Sequence, residues 1–548
     1  MRRANILNWN ALKKAVLAFV LTTTLSAGVF MASSKPAARN IPLNTKKDKN
    51  RFIQVQLLGI NDFHGQLDTT RKFNGRNVGG AEYLSAYLNQ KKKENKNTIL
   101  VHAGDMVGGS PPISSFLKDE PTIEVLNKMG FDYGTLGNHE FDRGVDEMMR
   151  LIQGGNDSKN GYFTGANFPY LCANVIDNHT GKTILPPYSI KNINGVPIGF
   201  IGVVIKDTPK IAPPNKTDGV KFIDEVKAIN NSVKTLKKQG VKTIVVLAHN
   251  GGNQSKANEN ATGEIVRMAK KMDDEVDVII SGHTHTYLNK EVDGKLIVQS
   301  YSYGISFSDI QLTIDPNTKD IVDKKASIKM VYQDEIKPDP EIKKMIQTYE
   351  SKIAPIVNKV VGKAANDILS KKNHNGESSL GNMIADSQRL AMNSDFAFMN
   401  FSGIRADLPK GDVTLDELFT IQPFKIKLVK MTLTGEQIRE LLNQQWQEHD
   451  SVRILQISGL KYTWDNTKDS GQKVIKIMRT DGTPINPQTS YTVTTNSYLA
   501  NGGDNFSIFL SGINKVEGPT DFDAFEDYVK EQKQPLVQAF DGRINRIK

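Results

Sequence analysis

The sequence predicts an α/β protein. Between residues 52 and 335, short apolar runs rich in β-branched residues alternate with polar stretches of helical character, and the runs cover 53–60, 98–102, 198–205, 243–248 and 276–280. Such runs are typical of strands buried on both faces of a largely parallel sheet. A second mixture of predicted helices and strands begins at residue 361, so we expect two α/β domains.

Length and composition agree with two globular domains. The chain has 548 residues, of which 38% are hydrophobic and 24% charged, and this excludes a fibrous or wholly disordered protein. The single cysteine, Cys172, excludes an intrachain disulfide and cysteine-rich metal clusters. The net charge of +10 is modest for this length and does not argue for nucleic-acid binding.

The N-terminus has the pattern of an export signal, which we place at residues 1–34. Basic residues precede an apolar run at 15–21, and small residues follow near 31–34. An uncleaved membrane anchor is the alternative, because residues 15–32 are almost long enough to span a bilayer. Residues 35–51 are predicted to form a basic tether. We therefore expect a secreted or cell-envelope protein of bacterial origin, with no membrane span after signal cleavage.

A helix is predicted to join the two domains. Prolines at 338 and 340 interrupt the chain, apolar residues at 342, 345, 346 and 349 then follow a helical period, and Pro355 should end or kink the helix. The domain boundaries are therefore 52–337 for the first domain, 338–360 for the linker helix and 361–548 for the second domain. Within the second domain, Thr434-Gly-Glu-Gln437 predicts a capping box that opens a helix.

Five short polar turns in the first domain contain the side chains that could bind metal ions or take part in catalysis. They are Asn61-Asp62-Phe63-His64, Gly104-Asp105, Gly137-Asn138-His139-Glu140-Phe141-Asp142, Ala248-His249-Asn250 and Gly282-His283-Thr284-His285. Each follows an apolar run, and ligands in α/β sheets lie outside the carboxyl ends of strands, so the turns are expected to converge. Five of the nine histidines fall in these turns, which favours one shared site over five unrelated loops.

The side chains in these turns suit divalent metal ions. Carboxylates, imidazoles and an amide oxygen are ligands for Mn²⁺, Zn²⁺, Co²⁺ or Fe²⁺. A carboxylate can bridge two ions about 3.5–4 Å apart, and such a pair clamps both ends of an in-line displacement at phosphorus. The turns therefore predict a site for two divalent ions.

Three segments of the second domain could bind a nucleotide. They are Asn400-Phe-Ser-Gly-Ile-Arg405, Gln422-Pro-Phe424 and Tyr498-Leu-Ala-Asn-Gly-Gly-Asp504. An arginine fork is suited to phosphate, and two aromatic rings can sandwich a nucleobase. Either aromatic residue taken alone is more often part of a core than of a clamp.

The ordered turns resemble the calcineurin-like metallophosphatases. Together with the segments of the second domain, they resemble the bacterial 5′-nucleotidase / UDP-sugar hydrolase / 2′,3′-cyclic-nucleotide phosphodiesterase family, over about residues 52–545. The resemblance implies a four-layer α/β/β/α metallophosphatase domain, a C-terminal α/β substrate-binding domain and a site between them.

The resemblance also implies roles for single residues. One metal ion would be held by Asp62, His64, Asp105 and His285, and the other by Asp105, Asn138, His249 and His283, with Asp105 bridging. His139, supported by Asp142, would be catalytic, and the alternative is that His139 serves only as a hydrogen-bond donor behind the ligands. Substrate contacts would come from Asn400, Arg405, Phe424, Tyr498 and Asp504.

The chain departs from the family pattern at several positions. Asn382 stands where some members have Arg, and the nearest upstream candidate for a second cation is His374. Lys425 and Ile426 follow Phe424 where members often have Gly-Asn, and His285 stands where the family's nucleotidases often have Gln. We therefore expect a phosphate clamp with fewer cations and a broad or shifted base preference.

The resulting prediction is an exported phosphohydrolase with two metal ions, which removes phosphate from nucleoside 5′-monophosphates such as AMP by attack of a metal hydroxide on phosphorus. We expect a small nucleotide as the partner and no nucleic-acid polymer. One alternative is a 2′,3′-cyclic-nucleotide 2′-phosphodiesterase with 3′-nucleotidase activity. Others are a surface binding protein without catalysis and a hydrolase of non-nucleotide esters.

Overall fold

The computed structural model describes residues 52–158, 161–256, 259–447 and 452–547. The predicted signal peptide and basic tether, residues 1–51, lie outside the described residues. Among the helices that are described, none combines the length and apolar character needed to cross a membrane.

Two six-stranded sheets form the centre of the N-terminal part. In spatial order, the first contains Asp320–Met330, Ser306–Asp315, Ile53–Ile60, Thr98–His102, Tyr133–Thr135 and Tyr170–Leu171. The second contains Tyr188–Ile193, Val196–Val204, Thr243–His249, Val276–Ser281, Lys295–Ser300 and Tyr287–Val292. The strands next to the functional turns run parallel, as the apolar runs predict.

The two sheets pack face to face and are covered by helices on both outer faces. Apolar side chains such as Leu57 and Val101 from the first sheet share one core with Phe200 and Val245 from the second. Separate cores lie under the helices on either side. The helices are Ala81–Glu94, Pro112–Ser115, Glu120–Met129, Val145–Gln153, Thr208–Ile211, Glu225–Lys238 and Glu264–Ala269. This arrangement is the predicted α/β/β/α layering.

Four short two-stranded sheets accompany these layers in the described part of the N-terminal half. They pair Arg71–Phe73 with Arg76–Val78, Gly155–Asp157 with Gly161–Phe163, Val175–Asp177 with Val220–Phe222, and Gly252–Asn253 with Thr262–Gly263.

A long helix, Pro340–Val357, connects the N-terminal part to the C-terminal part. Asp339 caps its N-terminus, because the carboxylate accepts from the backbone N–H groups of Glu341 and Ile342. The helix continues two residues beyond Pro355, and the next strand begins at Val360. The apolar face of this helix belongs to the hydrophobic core between the first sheet and the helices that cover it.

The C-terminal part is a smaller α/β unit. Its main sheet has the order Gln456–Ser458, Phe396–Met399, Ser490–Asn496, Lys427–Thr434 and Ile513–Thr520. A three-stranded sheet contains Val474–Arg479, Leu460–Trp464 and Ile544–Arg546, and Val360–Ala364 pairs with Gly411–Thr414. The helices are Ser379–Ala391, Leu415–Ile421, Gly435–Asn443, Ser497–Ala500 and Asp521–Glu531. The predicted capping box at Thr434 and Gln437 is present.

Candidate metal centre and substrate pocket

The five polar turns meet at one edge of the two sheets. Each turn lies at or just after the carboxyl end of a parallel strand, so the convergence follows from sheet geometry. Backbone hydrogen bonds join neighbouring turns: the N–H of Asp62 donates to the carbonyl of Gly104 at 3.1 Å, and that of His64 donates to the carbonyl of Asp105 at 3.0 Å. Turns far apart in sequence therefore form one continuous floor.

One group of candidate ligands contains Asp62, His64 and His285, whose ligand atoms lie within 4.8 Å of one another. Nε2 of His285 is 3.4 Å from Oδ1 of Asp62 and 3.2 Å from Nε2 of His64. Asp105 approaches the same group, with Oδ2 3.7 Å from Nε2 of His64.

A second group contains Asp105, His249 and His283, again with ligand atoms within 4.8 Å of one another. Nε2 of His249 is 3.1 Å from Oδ2 of Asp105. Asn138 adjoins this group, since its Oδ1 lies 2.9 Å from Nδ1 of His283. The structure thus brings all seven predicted ligands together, with Asp105 between the two groups.

Most of these ligands occupy an unusual backbone conformation. The φ angles of Asp62, His64, Asp105, His283 and His285 are 52°, 51°, 54°, 78° and 55°. Non-glycine residues seldom adopt the left-handed region, and such strain collects at functional sites. The conformation turns each side chain away from its strand and toward the common centre.

Two of the turns approach so closely that glycine is required in both. A Cβ at Gly104 would lie 2.6 Å from the backbone nitrogen of Gly137, and a Cβ at Gly137 would lie 2.2 Å from Oδ1 of Asp105. Glu140 ties the same turns together, because its buried carboxylate accepts from the N–H groups of Asp105, Met106 and Gly137 at 2.9, 2.8 and 2.6 Å. Sequence reasoning missed this role of Glu140, although the specificity of Gly-Asn-His-Glu was its signal.

Burial and neighbouring charge set the protonation of the cluster. Burial lowers the pKa of His64 well below its usual value and that of His283 to about 4. Burial alone would raise the pKa of Asp105, but the imidazoles of His249 and His139 hold it well below its usual range. Burial also disfavours a charged His249, yet Asp105 outweighs burial and raises its pKa to about 10. The carboxylates are thus ionised, and the imidazoles of His64 and His283 are neutral, which are the forms that bind metals. His249 instead carries a proton beside Asp105, and a metal ion would have to displace it.

The donor set fits divalent metal ions. Nδ1 of His64 donates to the carbonyl of Gly108 at 2.8 Å, so its Nε2 presents a lone pair toward Nε2 of His285. In the same way, Nδ1 of His249 donates to the carbonyl of Ala103 at 2.7 Å and directs its buried Nε2 toward Oδ2 of Asp105. Metal-binding histidines are usually oriented by such a second hydrogen bond. A cation in each group would satisfy these nitrogens.

His139 lies beside the ligands and is held by Asp142. Its Nδ1 is 2.9 Å from Oδ2 of Asp142, and its backbone N–H donates to Oδ1 of Asp105 at 2.8 Å. Burial opposes a positive charge on His139, but Asp142 and Asp105 together raise its pKa. The ring also stacks on Phe424 with centroids 5.6 Å apart, which joins the metal cluster to the C-terminal part.

A cavity of about 620 Å³ opens over the ligand cluster, between the two parts of the chain. The predicted residues that line it are Asp105, Asn138, His139, Asp142, His283, His285, Asn400, Arg405, Phe424, Tyr498 and Asp504. Asp62, His64 and His249 are fully buried beneath its floor. The volume falls in the range of small-molecule sites.

The C-terminal wall of the cavity is held by polar contacts. Asn496 donates to Oδ1 of Asn400 at 2.8 Å, and the hydroxyl of Tyr498 donates to Oδ1 of Asp504 at 2.9 Å. Arg453, which sequence reasoning missed, pairs with the same oxygen of Asp504 at 3.1 Å. The guanidinium of Arg405 faces the rings of Tyr303 and Phe424 at 5.8 Å each.

Tyr303 is a further lining residue that the sequence did not single out. It has a φ of 61°, and its backbone N–H donates to the carbonyl of Asp62 at 2.7 Å. The guanidinium of Arg71 lies 4.1 Å from its ring centroid. Because neither Tyr303 nor Arg71 belongs to a recognisable motif, only their positions in space connect them to the site.

Three positions that depart from the family pattern lie in different environments in the structure. Asn382 is buried and donates to Oε1 of Glu377 at 2.7 Å. Lys425 turns away from the cavity, and its Nζ lies 4.8–5.3 Å from the ring centroids of Phe116, Phe419 and Phe522. Ile426 lines the cavity. Of the three, Ile426 alone is placed to touch a ligand there.

Two protein families match this chain. Residues 55–287 match the calcineurin-like phosphoesterase family, and residues 360–511 match the family of the 5′-nucleotidase C-terminal domain. A solved structure, of a 5′-nucleotidase precursor from Thermus thermophilus, is similar with a TM-score of 0.78 and 26% sequence identity. The match covers 90% of this chain and 99% of that chain.

Two bacterial relatives are more similar in sequence. The chain is 42% identical over 528 residues to the endonuclease YhcR of Bacillus subtilis, covering 94% of this chain. It spans only 43% of the length of that relative. It is also 36% identical over 530 residues to the cell wall protein Lmo0130 of Listeria monocytogenes, covering 88% of this chain and 67% of that protein.

Proposed function

Because the chain belongs to the calcineurin-like metallophosphoesterases that carry a 5′-nucleotidase C-terminal domain, we propose that it removes phosphate from nucleoside 5′-monophosphates such as AMP. The observation that carries this proposal is the single cavity in which metal-type ligands face an arginine and two aromatic side chains. A phosphate at the ligand cluster and a base among the rings would occupy that cavity together.

In this proposal the two ligand groups hold two divalent ions. Asp62, His64, Asp105 and His285 would hold one ion, and Asp105, Asn138, His249 and His283 the other. Ions in such a pocket provide Lewis-acid activation of water and of phosphoryl oxygens. Their identity among Mn²⁺, Zn²⁺, Co²⁺ and Fe²⁺ is a matter for metal analysis.

The chain's own residues would bind and orient the substrate. His139, whose Nδ1 faces Asp142, would direct Nε2 at a phosphoryl or leaving oxygen and stabilise the charge that develops there. Arg405 would donate to the phosphate, while Phe424 and Tyr498 would stack on the base. Asn400 and Asp504 would contact the phosphate end and the ribose.

The test is phosphate release from AMP, 3′-AMP and 2′,3′-cyclic AMP with Mn²⁺, with and without a chelator. We expect strong, chelator-sensitive release from AMP, and its loss in His139→Ala but not in the exposed control His179→Ala. Selective cleavage of 3′ and cyclic substrates would retain the metal site and transfer the proposal to a cyclic phosphodiesterase. No activity with metals bound would contradict the nucleotide proposal and favour a binding protein.

A second candidate is cleavage of phosphodiester bonds in a nucleic-acid strand. One observation favours it: a second cavity of about 570 Å³ adjoins the first at Asp142 and Phe424 and is lined by Lys118, Lys216 and Lys425. A relative that is 42% identical is named an endonuclease. A fluorescent single-stranded oligonucleotide in the same assay would distinguish the two, since only the second candidate shortens the strand.

The location of the protein is also a proposal. The basic and apolar pattern of residues 1–34 and the name of the Listeria relative, a cell wall protein, support export to the cell envelope. Fractionation of cells that express the full chain, with N-terminal sequencing of the product, would test both export and cleavage.

A further inference from the structure

A lysine in the substrate cavity has no role among the residues considered so far. Lys372 lies in the connection between the strand Val360–Ala364 and the helix Ser379–Ala391, and it lines the same cavity as Arg405 and Asn400. Its Nζ is 4.2 Å from the ring centroid of Phe401, which follows Asn400 directly. The contact holds the ammonium group against the wall of the cavity.

The charge of Lys372 is not neutralised within the protein. Its ammonium group has no carboxylate within ion-pair distance in the part of the chain that the structure describes, and burial alone lowers its pKa. Another cation of the same cavity, Arg453, differs because it pairs with Asp504 at 3.1 Å. A half-buried charge without a counter-ion is unfavourable unless a ligand brings one.

The guanidinium of Arg405 also has no acidic partner among the described residues. In the part of the chain that the structure describes, the buried Nε and Nη2 have no hydrogen-bond partner, and the one hydrogen bond of the guanidinium runs from Nη1 to the carbonyl of Ser402 at a long 3.5 Å. The acids that line the cavity are engaged with other groups: Asp142 with His139 at 2.9 Å, Asp105 with His249 at 3.1 Å, Asp504 with Arg453 at 3.1 Å and Asp521 with the backbone N–H of Ile426 at 3.0 Å. Arg405 and Lys372 therefore present two uncompensated positive charges to one cavity.

The position where some family members have Arg and the nearest upstream candidate for a second cation both lie away from the cavity. The side chain of Asn382 is buried against Glu377 and does not line the cavity, and His374 is exposed and does not line it either. Lys372 is two residues before His374 in sequence but faces the cavity.

We propose that Lys372 is the second cation of the phosphate clamp, acting beside Arg405 on the phosphate of a nucleotide monoester. The proposal rests on the proposed nucleotide function and specifies how the chain compensates for the arginine that it lacks at position 382. An ammonium group is a point charge on a flexible stem and not a planar fork. Lys372 should therefore add affinity for phosphate without fixing its orientation.

The test compares binding of a ligand with a phosphate group and of one without it. The metal-loaded full chain is titrated with adenosine and with a phosphonate analogue of AMP that cannot be hydrolysed. Lys372→Met retains the apolar stem on Phe401 and should weaken the phosphonate by about 10- to 100-fold, while adenosine affinity is unchanged. The control is Lys371→Met at the exposed neighbouring lysine, which should change neither affinity.

Other outcomes separate a clamp from a packing role. Lys372→Arg should restore most of the phosphonate affinity. Equal losses for both ligands, or no loss for the phosphonate, would overturn the proposal. If the wild-type chain binds neither ligand, the nucleotide function fails, and inorganic phosphate then tests the clamp alone: it should raise the melting temperature of the wild type more than that of Lys372→Met. An equal rise in both proteins would refute the clamp.

Discussion

Two walls face each other across the cavity, and they handle charge differently. On the N-terminal wall, Asp62 and Asp105 are at most 1% exposed, and imidazoles lie 3.1–3.4 Å from their oxygens. On the C-terminal wall, Arg405 and Lys372 carry positive charges with no acidic partner in the described residues. The carboxylates of the first wall lie among imidazoles, whereas the two cations of the second wall lack an acidic neighbour and would be neutralised by a bound anion.

The walls also differ in what positions their side chains. Left-handed backbone, close glycines and the carboxylate of Glu140 hold the ligand cluster. On the opposite wall, polar contacts hold Asn400 and Asp504, while the cations of Lys372 and Arg405 face aromatic rings. Changes to the N-terminal wall should therefore affect metal binding and all substrates, while changes to the C-terminal wall should affect the choice of substrate.

The largest effect is expected at the carboxylate between the two ligand groups. Asp105→Ala should reduce phosphate release by more than about 100-fold, because even residues that only orient ligands cost 10- to 100-fold. Metal analysis of the purified variant should show a reduced metal content. The control is Asp218→Asn, at an exposed acid that lines neither cavity. Full metal content with full activity in Asp105→Ala would contradict the assignment.

An effect on the chemical step alone, without loss of metal, is expected at the histidine between the walls. His139→Ala should lower kcat by about 10²- to 10⁴-fold, the range for proton-donating side chains. Metal content should remain, because the seven predicted ligands are untouched. If metal is lost together with activity, His139 is a ligand, as its closeness to His64 and Asp105 would then explain.

On the C-terminal wall, the effect of a substitution on KM should depend on whether the substrate has a nucleobase. Phe424→Ala should raise KM for AMP by about 5- to 100-fold, since base stacking contributes roughly 1–3 kcal/mol. KM for p-nitrophenyl phosphate, which has no nucleobase, should change much less. Phe540→Ala, at a residue 50% exposed, serves as the control. Equal losses for both substrates would mean that Phe424 acts by holding His139 and not by stacking on a base.

The smallest effect, a slight loss of stability, is expected at a contact between the two parts of the chain that lies outside the substrate cavity. Lys425 lies over Phe116 from the N-terminal part and over Phe419 and Phe522 from the C-terminal part. Lys425→Met should cost about 0.5–1 kcal/mol, as for exposed cation–π contacts, and lower the melting temperature slightly. The control, Lys427→Met, should leave the melting temperature unchanged. A large rise in KM for AMP in Lys425→Met would contradict the view that this lysine lies outside the substrate wall.

The sequence by itself determined the α/β class, five buried strands of the N-terminal part and the polar turns that carry the candidate ligands. The reason is local: each turn lies at or just after the end of an apolar strand, and parallel strands end at the same edge of a sheet. The predicted strand 98–102 is observed as Thr98–His102, and the turn at Gly104-Asp105 follows it. The resemblance to a known family added the four layers and the partners on the C-terminal wall.

Only the tertiary structure decided which residues support and complete the site. Glu140 was visible in a motif, but its three backbone partners lie in turns that meet only after the strands have paired. Lys372 comes from a loop without periodicity, so nothing local distinguishes it from the exposed Lys371 or His374 beside it. Whether such a side chain faces a cavity or solvent depends on how the chain packs around it, and short-range sequence pattern does not encode that packing.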